Sequence, residues 1–143
     1  KKEHHAWNVI DIDGSPYQMD VTWDIGASKE RIAYDYFNVT DEIISRTHSF
    51  EDEMPKCIST EDNYFEKNKL IFRNRSQMIT YITQGIAKGR TDFYFRLDGF
   101  FNKFKRSELT KIVAKAAMAE LNRTVKVQEM PNENVGTYWF RIF

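Results

Sequence analysis

The chain has 143 residues, 41% hydrophobic and 15% aromatic, with 21 basic and 21 acidic side chains and one cysteine. That content is too apolar for disorder, no apolar run approaches the roughly 20 residues that span a bilayer, and one cysteine excludes an internal disulfide. The zero net charge is unevenly spread: residues 1–75 carry 10 Lys/Arg against 15 Asp/Glu, residues 76–143 carry 11 against 6, so the halves are −5 and +5. Opposite fields could help two halves dock, or the asymmetry could be chance.

In chain order, the segment from His5 to Thr22 reads as a β-hairpin, two apolar-rich runs flanking Asp13-Gly14-Ser15-Pro16. Asp-Gly is a strong signal for a tight hairpin turn. A turn centred there sets Ile12 opposite Ser15, Trp7 opposite Asp20 and His5 opposite Thr22. Side chains alternate along a strand, so His5, Trp7 and Asp20 share a face, and His5 and Asp20 are diagonal neighbours within reach of a hydrogen bond. A loop one residue longer would put them on opposite faces.

After Trp23-Asp24-Ile25-Gly26 a polar loop is expected, then a strand over Ile32 to Val39, rich in Tyr and Phe. Thr40 or Asp41 is positioned to cap a short helical turn through Ser45. Thr47 to Asn63 is polar, contains Pro55 and reads as loop, and Leu70-Ile71-Phe72 reads as a short strand. From Ser76, a candidate N-cap, Met78, Ile79, Ile82 and Ile86 recur at helical spacing, with Gly89 a C-terminal stop. Asp92 to Asp98 alternates, with Phe93, Phe95 and Leu97 on one face. Leu109, Ile112, Val113, Ala116 and Leu121 mark a second amphipathic helix after Ser107, and strands follow around Thr124 to Gln128 and Gly136 to Phe143, separated by a turn at Pro131-Asn132-Glu133-Asn134. The order α-β-α-β-β suffices for a small two-layer α/β module. The fold class expected for the chain is α+β.

His5 has the chemistry of a general base and Asp20 that of the carboxylate that orients it, the arrangement a thiol nucleophile requires. Spacing alone carries little, since a His and an Asp within fifteen residues are common. Resemblance carries more. His5-Ala6-Trp7-Asn8, the central Asp-Gly, Tyr17 and Asp20-Val21-Thr22-Trp23-Asp24 resemble the transglutaminase-like core of many bacterial proteins. Tyr36-Phe37-Asn38, Thr40-Asp41, His48 and Pro55-Lys56-Cys57 before Tyr64-Phe65 are similar to the tail of that domain.

The resemblance covers roughly residues 4 to 72. It implies the antiparallel-sheet half of a transglutaminase-like, papain-like core over residues 1–75; residues 76–143, the small α/β module read from their pattern alone, are expected to pack on it. It also implies His5 as triad base, Asp20 as its partner, and Cys-His-Asp thiol acyl transfer or amide hydrolysis on a protein or peptide substrate, in a secreted or cell-surface setting. In that family the nucleophile precedes the His, at a helix N-terminus. Here no such Cys precedes His5, and Cys57, in a Pro-containing loop after both partners, reads as structural. The chain is therefore expected to be the C-terminal portion of a longer protein, inactive without its N-terminal part. The rival is a non-catalytic binding or structural module of a cell-surface protein that keeps the fold.

No cofactor and no metal are expected. His4 and His5, as adjacent strand residues, point to opposite faces, and His48 has no second ligand at a recognisable spacing. Trp7 and Trp23 are candidates to line a substrate groove, or equally to form the hairpin core. Phe100-Phe101-Asn102-Lys103-Phe104-Lys105-Arg106 interleaves aromatics with bases as nucleic-acid surfaces do, but its plainer reading is buried Phe beside solvated Lys, and neither a nucleic-acid nor a membrane partner is expected.

Overall fold

A computed structural model describes residues 4–29, 31–50, 53–99 and 106–143. The fold is α+β, with a two-stranded antiparallel sheet, a four-stranded mixed sheet and five helices among the described residues. It divides into two compact units, Lys1–Lys69 and Leu70–Phe143. The division falls ahead of Ser76, because the short strand at Ile71 is hydrogen-bonded within the second unit.

The first unit begins with strands β1 (Asn8–Ile12) and β2 (Ser15–Met19), antiparallel with Ile12 opposite Ser15 and Asn8 opposite Met19. Asp13 and Gly14 both take positive φ, 52° and 83°, as a type I′ turn demands, and Asp11 Oδ1 accepts from the Gly14 N–H at 2.9 Å. The register is the one the Asp-Gly turn predicts. The ladder ends at Met19, because the Asp20 side chain accepts from the Trp23 N–H and caps helix α1 (Val21–Ala27). Val21 and Thr22, expected in the hairpin's second strand, thus open a helix that runs on through Gly26.

The strand expected over Ile32 to Val39 does not form. This segment meets β2 only irregularly, through Asp20 N–H to Tyr36 O and a two-way Gln18–Val39 bridge. Two features break its extension: Asn38 sits at φ 50°, and the Tyr36 N–H turns inward to the Asp24 carboxylate. Thr40 caps α2 (Asp41–Ile44), and Asn63 caps α3 (Tyr64–Lys67) by accepting from the N–H groups of Phe65 and Glu66. Tyr17, Tyr36, Val39, Ile43, Ile44 and Phe65 are buried in this unit.

In the second unit β3 (Ile71–Phe72) pairs parallel with β4 (Asp92–Leu97), joined by helix α4 (Arg75–Ala87). Helix α5 (Arg106–Leu121) leads to β5 (Val127–Asn132) and β6 (Thr137–Ile142), and the sheet order is β3-β4-β6-β5. Asn74, rather than Ser76, caps α4, accepting from the Gln77 N–H at 2.9 Å, and Gly89 at φ 85° follows its C-cap.

Phe93, Phe95 and Leu97 of β4 and Tyr138, Phe140 and Ile142 of β6 share one face, against Met78, Ile82 and Ile86 of α4 and Leu109, Val113 and Ala117 of α5. Full burial of each large apolar side chain is worth roughly 1.5–3 kcal/mol, so this layer carries the unit. Leu121, by contrast, is exposed. β5 runs through Pro131 and Asn132, which were expected in the turn. As an edge strand it tolerates a proline that donates nothing to the ladder, and Gly136 at φ 73° serves the turn instead. The aromatic and basic run at Phe100 to Lys105 lies outside the described residues, as does the side chain of Arg106.

Candidate functional site

Asp20 is the centre of the site. It ends β2 and caps α1, so its backbone position is set by the hairpin register and its Oδ1 by the Trp23 N–H at 3.1 Å. Its side chain is 1% exposed, and its Oδ2 meets two imidazoles, His5 Nε2 at 2.6 Å and His48 Nε2 at 2.6 Å. Burial pushes this carboxyl up, but the hydrogen bonds from His48, from the Trp23 N–H and from His5 outweigh it and hold the group below its ordinary value. A carboxylate has only acceptors to offer, so both facing Nε2 atoms carry protons.

The two histidines are held differently. His5 precedes β1 and its side chain is 28% exposed. Its Nε2 is engaged by Asp20, which leaves Nδ1 as the nitrogen able to take a proton. His48 follows α2, its N–H bonds Ile44 O at 2.9 Å, its side chain is 2% exposed, and its Nδ1 lies 2.8 Å from Thr47 Oγ1.

Two tryptophans wall the imidazoles. Trp23 stacks on His5 at 5.4 Å between ring centroids and lies 4.2 Å from His48; Trp7 stacks on His5 at 6.2 Å and meets His48 edge-on at 4.7 Å. Tyr36 packs on Trp23 and His48 at 5.3 Å from each. Trp7 is fixed by its indole N–H, which donates to Gln18 Oε1 at 2.8 Å; Gln18 in turn donates to Asp41 Oδ1 at 2.9 Å. Trp7 is half-buried and Trp23 is 39% exposed, so both border the imidazole pair rather than filling a closed hairpin core.

Cys57 is not placed for catalysis. Its thiol is buried and donates to Pro55 O at 3.5 Å, while its backbone clamps Asp41, N–H to Oδ2 at 3.1 Å and carbonyl to the Asp41 N–H at 2.8 Å. Burial and the neighbouring Asp41 charge push the thiol up to about 11, the reverse of an activated nucleophile. Asp24, one turn along α1 from Asp20, is also buried and receives the Tyr36 N–H. Burial raises it to about 7, with Asp35 and Asp20 adding to the rise.

The structure thus brings together His5, Asp20, Trp7 and Trp23, the four residues singled out in the sequence, and adds His48. His48, which has no second ligand at a recognisable spacing, gains one in space: 28 residues of chain separate it from Asp20, and the turn after α2 returns it to the carboxylate. No short-range spacing signals that return. Among the described residues, His5, Asp20 and His48 form a group whose ligand-type atoms all lie within 4.8 Å of one another, as a divalent ion would need. As they stand, the two 2.6 Å separations are hydrogen-bond lengths, shorter than the about 3.3 Å between ligand atoms of a tetrahedral zinc site. No protein-family model matches this chain, and no curated protein is significantly similar to it.

Proposed function

We propose that the first unit carries the base half of a transglutaminase-like thiol acyl-transfer centre, with His5 as general base, Asp20 as the carboxylate that orients it, and the nucleophilic cysteine supplied by a segment outside this chain. The observation that carries the reading is the 2.6 Å bond from His5 Nε2 to Asp20 Oδ2 at a partly exposed imidazole, which directs Nδ1 away from the carboxylate. Trp7 and Trp23, stacked on His5, would flank an extended peptide chain entering the site.

In the reaction the thiol proton passes to His5 Nδ1 and the thiolate adds to an amide carbonyl carbon. The C–N bond breaks, the leaving amine takes the proton from the imidazolium, and a thioester remains. Water then attacks the thioester with Nδ1 accepting its proton, the C–S bond breaks, and acid and thiol are released; an amine in place of water would give a crosslink. Asp20 stays ionised throughout, opposite the positive imidazolium. Hydrolysis is the outcome we favour, on the strength of the bacterial resemblance.

This chain alone is expected to turn over no peptide amide. In the full-length protein, His5→Ala should lower kcat/KM by about 10³-fold or more and Asp20→Asn by about 10²–10⁴-fold, in line with other Cys/Ser-His-Asp centres. Turnover by the isolated chain, abolished by Cys57→Ala, would overturn the proposal. So would a full-length protein with no alkylatable cysteine, which would favour the binding-module rival.

A further inference from the structure

We infer that His48 is a positioning residue for the His5–Asp20 pair, acting through Asp20 as the buried second donor that fixes the carboxylate's orientation. The inference rests on the reading of His5 and Asp20 as base and partner, and extends it to a residue that no triad includes.

An aspartate carboxylate can turn about its Cβ–Cγ bond, so one anchor does not fix both oxygens. Here Oδ1 is tied to the Trp23 N–H at the start of α1, and Oδ2 to His48 Nε2 from the turn after α2. Those two donors come from separate elements, and the His48 ring is buried with the carboxylate. The remaining acceptor direction of Oδ2 faces His5, whose ring, unlike that of His48, reaches solvent. His5 itself lies outside the paired strands, before Asn8, so no ladder hydrogen bond orients its ring. Trp7 and Trp23 stack on its ring, but among the described residues its one hydrogen-bond anchor is Asp20, whose Oδ2 is in turn held by His48.

His48 is built for a fixed role. Its ring is enclosed by Trp7, Trp23 and Tyr36, and Thr47 Oγ1 occupies its other nitrogen. A proton shuttle needs a route to solvent, and at 2% exposure this ring has none through its own surface. A buried donor that locks the orientation of a catalytic partner is what such outer residues contribute elsewhere, typically 10–100-fold in activity.

The test needs no substrate. In the isolated chain, long-range ¹H–¹⁵N spectra should show both His5 and His48 as Nε2–H tautomers, each with an exchange-protected downfield Nε2–H resonance. A His48 found as the Nδ1–H tautomer cannot donate to Asp20, and that result alone would sink the inference. Two variants then separate donor from packing. His48→Phe keeps an aromatic ring among Trp7, Trp23 and Tyr36 but removes the donor; the protected His5 resonance should vanish and its ring nitrogens should average between tautomers, with the β1–β2 amide shifts unchanged. His48→Gln restores a side-chain N–H donor and should restore the His5 resonance. A fixed His5 tautomer in folded His48→Phe would overturn the inference.

In the full-length protein His48→Phe should lower kcat about 10–100-fold with KM little changed. Failure of the acyl-transfer reading would appear as absent turnover with these spectra intact. Failure of the positioning role would appear as a fixed His5 tautomer whatever the turnover.

Discussion

Two aspartates one helical turn apart show how environment divides identical side chains. Asp20 and Asp24 are both buried, but Asp20 receives two imidazole N–H donors and a backbone N–H and is held ionised, while Asp24 receives one backbone N–H and has Asp35 and Asp20 as neighbouring charges. Asp24 is raised to about 7 in the fold against roughly 3.9 in an unfolded chain. The folded state therefore binds the extra proton between about pH 4 and 7, and this group's contribution to stability falls as pH rises through that window. Asp24→Asn should remove the dependence: its urea midpoint should exceed that of the wild type at pH 8, by on the order of a few kcal/mol in stability, and the gap should close toward pH 4. A gap that is independent of pH would contradict this assignment. Cys57 gives a second residue-scale expectation. With its thiol buried and raised to about 11, alkylation in the native chain should be slower by about 10²-fold or more than in urea, and Cys57→Ser should leave activity of the full-length protein intact.

Among the elements, those governed by local chemistry were legible in the sequence. Asp13-Gly14 set the hairpin register, Thr40 announced the short α2, and the periodicity of Met78, Ile82 and Ile86 announced α4. The misreadings have long-range causes. Ile32 to Val39 is irregular because Asp24, 12 residues back in the chain, withdraws the Tyr36 N–H from any ladder. β5 absorbs Pro131 because it lies at a sheet edge, which only the sheet order reveals. His48 was the costliest omission, since only the path of the chain after α2 carries it back to Asp20. One element-scale prediction follows from Gly85 of α4. A Cβ there would stand 2.6 Å from Phe93 Cε1 and 3.2 Å from its Cζ, and Phe93 is itself buried in the second unit's core. Ala would add about 1 kcal/mol of helix propensity, but overpacking of this kind costs roughly 1–3 kcal/mol. Gly85→Ala should therefore lower the thermal midpoint, whereas a rise would show that Phe93 has room to move.

At the scale of the whole molecule, two units of similar length divide polar chemistry and apolar packing unequally. The second unit holds the larger continuous apolar core, built from two helices on one sheet face, and among its described residues no His, Cys, Asp and Glu gather as a potential metal-binding group. The first unit is polar at its centre, with buried Gln18, Asp20, Asp24, Asp35, Asn38, His48 and Asn63, and much of that polarity converges on the two imidazoles and two indoles around Asp20. Keeping such a network buried and hydrogen-bonded costs stability that an apolar core would not, which is the usual mark of a functional centre. The central claim, that His5 serves a thiol as its base, is tested most directly by the pH dependence of iodoacetamide alkylation in the full-length protein, with Cys57→Ser removing the other known thiol. The account predicts a cysteine that alkylates as a thiolate well below the ordinary thiol range near 8.5, with His5→Ala returning its profile to that range. A profile unchanged by His5→Ala would contradict it.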